Sequence, residues 1–208
     1  ENMAKLPEGE METNLKQWCA SPEDKAARGN SQLDKVFHRA LYDAWFVVNA
    51  EAGLRGAKMR DYYTTLLAVA AKRFDFGWFL ASYWVGDGAL ALLGADGSRG
   101  VRILGKPDGG EFAGETRFFT MKEEITEENI RERLRYTFVS DFDTLFLMTD
   151  GVSDPFFEAE ADLFRSERWE SLLADLEKKT RFEANELLEW LNFWSRGNHD
   201  DRTLVLLR

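Results

Sequence analysis

The feature that most limits the possible folds is a series of short apolar runs in the middle of the chain, each closed by glycine and aspartate. The runs lie at 64–70, 78–85, 89–93 and 101–104. Such short runs with Gly/Asp punctuation are typical of consecutive antiparallel strands joined by tight turns. We therefore predict antiparallel sheets, and not the alternating strands and helices of a parallel fold.

Helical patterns flank this region on both sides. Apolar residues from Leu33 to Val48 recur at the spacing of one helix face, and Ser31 is placed to cap that helix. We predict further helices at 126–136, 160–178 and 183–194, and further strands at 116–121, 144–149 and 203–207. Residues 1–31 contain several helix breakers and predict a loosely ordered lead-in, with a weak helical stretch around Leu15. Taken together, these helices and strands predict one α+β domain over residues 1–208.

Charge and cysteine content exclude several classes of function. Lys and Arg number 27 against 37 Asp and Glu, a net charge of −10, so the phosphate backbone of a nucleic acid would repel the chain. No apolar run has the length of a membrane span. Cys19 is the single cysteine, which excludes an internal disulfide and a Cys-based zinc site. A reducing, cytoplasmic location is the default expectation.

Aspartate residues lie at the ends of three predicted strands. Asp87 and Asp150 each follow a strand and precede glycine, and Asp200–Asp201 precede the last strand. If these carboxylates converge at one sheet edge, they repel one another unless a cation lies between them, and Mg²⁺ or Mn²⁺ prefers such oxygen ligands. Asp-Gly is also a common turn dipeptide, so taken alone Asp87 is better explained as a plain turn, and Asp150 and Asp200–Asp201 are equally compatible with a turn or loop.

The order of these segments resembles a known enzyme family. Trp84-Val85-Gly86-Asp87-Gly88, then Leu145 to Asp154 (LFLMTDGVSD), then Asp200-Asp201-Arg202-Thr203 are similar to the motifs of the metal-dependent serine/threonine protein phosphatases of type 2C. Thr64-Thr65-Leu66-Leu67 is similar to the strand that precedes V-G-D in that family. The stretch 110–116 resembles a bacterial branch of it. The resemblance covers roughly residues 32–208.

The resemblance implies a fold and a site. The fold would be a four-layer α-β-β-α sandwich, in which helices flank two antiparallel sheets. Asp150 and Asp200 would be terminal ligands of two Mn²⁺ or Mg²⁺ ions, and Asp87 a ligand of a weaker third ion. Asp201, where the family often has Asn, would support the site without being a ligand. The implied activity is hydrolysis of phosphoserine and phosphothreonine on proteins by metal-activated water, with no residue as nucleophile. The implied partners are a phosphoprotein substrate and a cognate serine/threonine kinase or its target.

One part of the family pattern has no match in residues 1–60. That part supplies a phosphate-binding Arg and a D-G-x-G-G turn whose Asp bridges the two metals. Two interpretations follow: the segment lies upstream of Glu1, as the non-Met start favours, or the chain is a type-2C-like regulatory binding module that has lost turnover. An unrelated metal-dependent hydrolase is a third interpretation. His199 adjoins Asp200 and is either a solvated loop residue or a phosphate contact, whereas His38 and Cys19 are expected to be incidental.

Overall fold

The computed structural model describes residues 8–20, 32–105, 108, 117–195 and 200–208. The helices are α1 (Glu8–Ala20), α2 (Gln32–Leu54), α3 (Glu127–Arg133), α4 (Asp150–Phe156), α5 (Ser166–Lys179) and α6 (Ala184–Leu191). The strands are β1 (Leu66–Phe74), β2 (Gly77–Val85), β3 (Ala89–Leu93), β4 (Val101–Ile103), β5 (Arg135–Val139), β6 (Thr144–Met148) and β7 (Leu204–Leu207). Short 3-10 turns lie at Met59–Tyr62, Ala95–Gly97, Lys122–Ile125 and Glu160–Phe164.

The chain forms two compact units. The first contains residues 1–85 and 117–140, and the second contains residues 86–116 and 141–208. Each unit has its own antiparallel sheet with helices packed against it, in the strand orders β1-β2-β5 and β4-β3-β6-β7. The predicted α+β architecture of two antiparallel sheets flanked by helices is therefore confirmed.

In the first unit, β1 and β2 form a hairpin and β5 adds to the other edge of β2. Their register runs from Leu66 opposite Val85 to Phe74 opposite Gly77. Tyr83 and Val85, two residues apart, point to one face and pack with Leu41 of α2. A carboxylate is also buried in this unit: Glu124 is 2% exposed and pairs with Arg133 at 2.8 Å and Arg117 at 3.0 Å.

In the second unit, β3 and β6 lie at the centre of the sheet. Alternate residues of β3 and β6 share one face, and helices α5 and α6 cover it with Trp169, Leu172 and Trp190. The indole nitrogen of Trp169 donates to the Leu163 carbonyl oxygen at 2.8 Å, so this fully buried side chain leaves no polar atom unsatisfied. This core fixes the ends of β6 and β7, where the candidate site residues lie.

Several sequence predictions need correction. Within the predicted lead-in, the helical stretch expected around Leu15 is longer and forms the helix at residues 8–20, because Leu15, 3% exposed, packs against the β2–β5 surface. The remainder of that lead-in, together with Ser31, lies outside the described residues. Residues 117–121 do not form the predicted strand. The Thr120 hydroxyl accepts a hydrogen bond from Thr64 N and donates one to the Tyr62 carbonyl, and the segment then turns.

The helix predicted to reach Tyr136 ends at Arg133. Thr126 caps it as expected, accepting a hydrogen bond from Asn129 N. The following residues form β5, which was not predicted, because Tyr136 and Phe138 alternate into the core while the backbone pairs with β2. Pairing with β2 therefore replaces the last helical turn.

In the second unit, the long helix predicted from residue 160 begins only at Ser166, after a 3-10 turn. The last helix is shorter than predicted and ends at Leu191. In the described part of the chain, none of the helices combines the length and the apolar character that crossing a membrane requires.

Candidate metal centre

Asp150 lies where strand β6 turns into helix α4. It is the first residue of this short helix, and its Oδ1 accepts a hydrogen bond from Gly151 N at 2.7 Å. The helix was not predicted, and the interpretation of Asp150-Gly151 as a plain turn is wrong. A carboxylate in the first turn of a helix lies near the backbone N–H groups that favour negative charge.

Thr149 fixes the segment around Asp200 beside Asp150. Its backbone N–H donates to the Thr203 carbonyl at 3.1 Å, and its hydroxyl accepts from Thr203 N at 2.9 Å. The same hydroxyl donates to the Asp201 carbonyl at 3.2 Å. These bonds extend the β6–β7 ladder by one residue, and they join two segments that are about fifty positions apart in the sequence.

Gly151 allows the closest approach between these segments. A Cβ at this position would overlap the carbonyl oxygen of Asp201 and would lie 3.1 Å from Cγ of Arg202. No side chain fits there unless the backbone moves. The glycine next to Asp150 is thus required by the packing of the site.

Arg202 closes the same corner from the other side. Pro155 lies inside α4 and has no N–H to donate to the Gly151 carbonyl four residues earlier. Arg202 Nε donates to that carbonyl instead, at 3.2 Å, and Nη1 donates to the carbonyls of Leu191 and Phe193. The guanidinium also stacks over the Phe193 ring at 4.0 Å. One side chain therefore ties α4, the end of α6 and the start of β7.

Asp87 occupies the bend between β2 and β3. Gly86, with φ of +113°, has a backbone conformation that favours glycine. Its N–H donates to Oδ2 of Asp108 at 2.8 Å, and Asp108 N donates back to the Gly86 carbonyl at 3.1 Å. This reciprocal pair fixes the bend and with it the position of Asp87.

The carboxylates at this corner interact electrostatically. Burial raises the pKa of Asp150, and repulsion by Asp87 and Asp200 raises it further, while the hydrogen bond from Gly151 opposes the shift. Asp154 is an exposed residue that lines a pocket. Desolvation of its carboxyl group there raises its pKa, as do Asp150, Asp87 and Asp200. Asp87 and Asp200 thus both lie within electrostatic range of Asp150.

The donor set at this corner fits a hard divalent cation. The donors are carboxylate oxygens. Repulsion between the carboxylates helps to raise the pKa values of Asp150 and Asp154, and a bound cation would relieve that repulsion. Among the described residues, however, no three His, Cys, Asp or Glu side chains are grouped as the coordination shell of a metal ion. The chemistry of the corner suits a metal, although the side chains are not arranged around one.

The other residues that the sequence singled out lie away from this corner or outside the described residues. His38 is half-buried on α2 and stacks on Tyr42, and Cys19 is half-buried in the first-unit core. His199 lies outside the described residues. Trp190 and Phe193 pack in the second-unit core, whereas Trp194 is 80% exposed.

A comparison with protein-family models gives the family of the chain. The family model described as protein phosphatase 2C matches residues 9–192. The chain therefore belongs to the protein phosphatase 2C family, a class of phosphatases. Comparisons with curated proteins and with solved structures found no match.

Sequence reasoning missed two residues that hold the site together, Asp108 and Arg202. Asp108 lies in a glycine-rich stretch that predicts only a turn. Arg202 follows two aspartates, so the sequence favours a local ion pair with one of them at the surface. Pro155 was the signal that could have pointed to Arg202, because a proline inside a helix leaves a carbonyl that needs another donor.

Proposed function

We propose that this protein hydrolyses phosphoserine and phosphothreonine on other proteins, with Mn²⁺ or Mg²⁺ as cofactor. The observation that supports this is the tie between Thr149 and the Asp201–Thr203 segment, which sets Asp150 beside Asp200. Membership of the protein phosphatase 2C family supports the class of reaction. A cytoplasmic location and a kinase that phosphorylates the same substrate are part of the same proposal.

Asp150 and Asp200 would hold the two catalytic ions, and Asp87 a third. When bound, such ions lower the pKa of water and stabilise charge on the phosphoryl oxygens. The chain's own residues position the ligands: Gly151 N–H holds Oδ1 of Asp150, and Asp201 N–H holds Oδ1 of Asp200 at 2.9 Å.

The test is the Asp150→Asn variant of the full-length protein. It should lose hydrolysis of a phosphothreonine peptide in Mn²⁺, because a neutral amide binds a divalent cation far more weakly than a carboxylate. The matched control is Asp75→Asn, which changes an exposed aspartate in the β1–β2 turn and should leave turnover unchanged. Undiminished hydrolysis by the Asp150→Asn variant would refute the proposal.

The alternative is a type-2C-like binding module without turnover. It is favoured by the lack of a grouped metal shell among the described side chains and by the missing D-G-x-G-G turn in residues 1–60. A thermal shift separates the two functions. An ion at about 100 times its Kd stabilises the folded state by ~2.7 kcal/mol, so a protein that does not respond to Mn²⁺ fits the binding module.

A further inference from the structure

A cavity lies between helices α2 and α3 of the first unit. Its volume is about 230 Å³. Pockets for drug-sized molecules usually measure about 300–1,000 Å³ and a liquid water takes up about 30 Å³, so this cavity has room for a ligand of roughly seven or eight non-hydrogen atoms. Its described lining belongs to the first unit, whereas Asp87, Asp150 and Asp200 belong to the second. The cavity thus shares no described residue with the candidate metal centre.

Arg131 lines this cavity, and its guanidinium group makes no hydrogen bond to the described residues. It pairs with Glu127, one helical turn earlier, but the two charged groups are 3.9 Å apart, which is too long for a hydrogen bond. The other ion pairs with the same helical spacing in the described ranges are much closer, at 2.5 to 2.8 Å. Arg131 therefore keeps hydrogen-bond donors available to a ligand.

Two further nitrogen donors come from α2. Lys35 and His38 are three residues apart, so they lie on the same side of the helix, and both line the cavity. Within the part of the chain that the structure describes, Lys35 has no ion pair and the ring nitrogens of His38 have no hydrogen bond, although this ring stacks on Tyr42. Three groups that can donate hydrogen bonds to an anion therefore line one small space, in a protein whose net charge is −10.

The cavity also contains two carboxylates, and these limit the charge of the ligand. Asp34 accepts a hydrogen bond from the Tyr136 hydroxyl, which holds it in place. Glu127 is 74% exposed, so its carboxylate can turn into the solvent. Both carboxylates would repel a doubly charged phosphate about twice as strongly as a singly charged anion. The charges of the lining therefore favour an anion of charge −1.

The rest of the described lining is apolar. Ile130 and Leu134 are 1% and 2% exposed, and both line the cavity. An inorganic ion makes no use of such a surface, whereas a short hydrocarbon chain that packs on it is removed from water. A carboxylate group matches the planar guanidinium of Arg131, because the two can form parallel hydrogen bonds. The combination fits a small carboxylic acid with an apolar chain.

We propose that this cavity binds a small organic carboxylate, whose charged end pairs with Arg131 and whose hydrocarbon chain packs on Ile130 and Leu134. Lys35 and His38 would donate further hydrogen bonds to the carboxylate. The ligand would replace Glu127 as the partner of Arg131. The proposal goes beyond the phosphatase function and does not depend on it.

The experiment uses the full-length protein in EDTA, so that no divalent cation holds the probe elsewhere. The probes are isocaproate, its neutral isostere isocaproamide, and inorganic phosphate. Binding is followed by NMR through the ring signals of His38, which the His38→Gln variant assigns because the chain contains two histidines. Isocaproate should bind about tenfold more tightly than isocaproamide, as expected for hydrogen bonds to a charged group.

Two pairs of matched variants locate the site. Arg131→Gln should weaken isocaproate binding by about tenfold. Its control is Arg55→Gln, which removes the arginine of the Glu51–Arg55 pair at the same helical spacing on α2 and should leave binding unchanged. Glu127→Gln should tighten binding by about twofold, because that carboxylate no longer competes with the ligand for Arg131, whereas the control Glu51→Gln should not.

Several results would overturn the assignment. These are His38 signals that isocaproate does not shift, equal binding of isocaproate and isocaproamide, and equal effects of Arg131→Gln and Arg55→Gln. Inorganic phosphate that shifts the His38 signals at a lower concentration than isocaproate would make the cavity a phosphate site instead. A phosphothreonine peptide that does so would make it a docking site for a phosphoprotein, which also overturns the proposal. None of these measurements involves hydrolysis, so the proposed phosphatase function is tested separately.

Discussion

The packing of Gly151 against Asp201 predicts the effect of adding a single methyl group. In Gly151→Ala, the new Cβ would overlap the Asp201 carbonyl oxygen and lie 3.0 Å from the carbonyl carbon. Both are backbone atoms held by Thr149, so they cannot swing aside as the end of a flexible side chain would. The β7 side of the site must move away from α4.

The expected loss of stability is the difference between two effects. Overpacking a tight contact typically costs ~1–3 kcal/mol. Alanine gains up to ~1 kcal/mol over glycine inside a helix, and less in its first turn. The net loss should be about 1–2 kcal/mol, which corresponds to a decrease in Tm of roughly 2–8 °C for a chain of this size.

Urea unfolding at neutral pH measures this loss as a shift in midpoint at unchanged slope. Gly53→Ala is the matched control, since Gly53 is also helical and a Cβ there meets nothing within 4 Å. The control should be as stable as the parent protein or up to ~1 kcal/mol more stable. A Gly151→Ala protein that unfolds no earlier than the parent would refute the close approach.

Two further predictions concern ion pairs outside the site. Glu124→Gln should destabilise the first unit by about 3 kcal/mol, because the substitution removes the buried carboxylate that pairs with Arg133. The control Glu123→Gln changes an exposed neighbour and should alter the free energy of unfolding by less than ~0.5 kcal/mol. Equal effects of the two substitutions would contradict the burial of this pair. Burial would raise the pKa of Asp175, but hydrogen bonds from Lys179 at 2.8 Å and from Trp190 Nε1 at 2.9 Å lower it overall. A lowered pKa in the folded state gives stability that is present above the ordinary aspartate pKa and is lost as the pH falls through the folded value. Asp175→Asn should therefore cost about 0.5 kcal/mol at pH 7, measured by urea unfolding, and the difference should fade as acid protonates Asp175; a difference that does not depend on pH would contradict it.

The parts of the fold that the sequence predicted well are those where local pattern and tertiary packing agree. The stripe from Leu33 to Val48 forms a helix, and the apolar run at 144–149 forms the buried strand β6. The sequence pattern failed where distant partners decide. The local sequence predicts helix up to residue 136, but residues 135–139 form a strand because they pair with β2. Helix α1 is stabilised by the packing of Leu15 against β2 and β5, which no local pattern indicates.

The candidate site shows the same division. Strand ends carrying aspartate could be recognised in the sequence, and so Asp87, Asp150 and Asp200 could be named. The residues that hold these aspartates in place could not be named, because Thr149, Arg202 and Asp108 bond to backbone atoms of residues far away in sequence. Such hydrogen bonds leave no periodicity behind, and only the three-dimensional arrangement identifies the residues that make them.

The tie between Thr149 and Thr203 also sets the order in which a newly made chain can be completed. The ribosome synthesises the Asp150 corner about fifty residues before the segment that closes it, so β6 must wait with its outer edge unpaired. During that interval Asp200 has not yet been made, and its charge cannot act on Asp150. The β6–β7 pairing, and with it the repulsion between these two carboxylates, can therefore arise only after the other strands of this sheet have been synthesised.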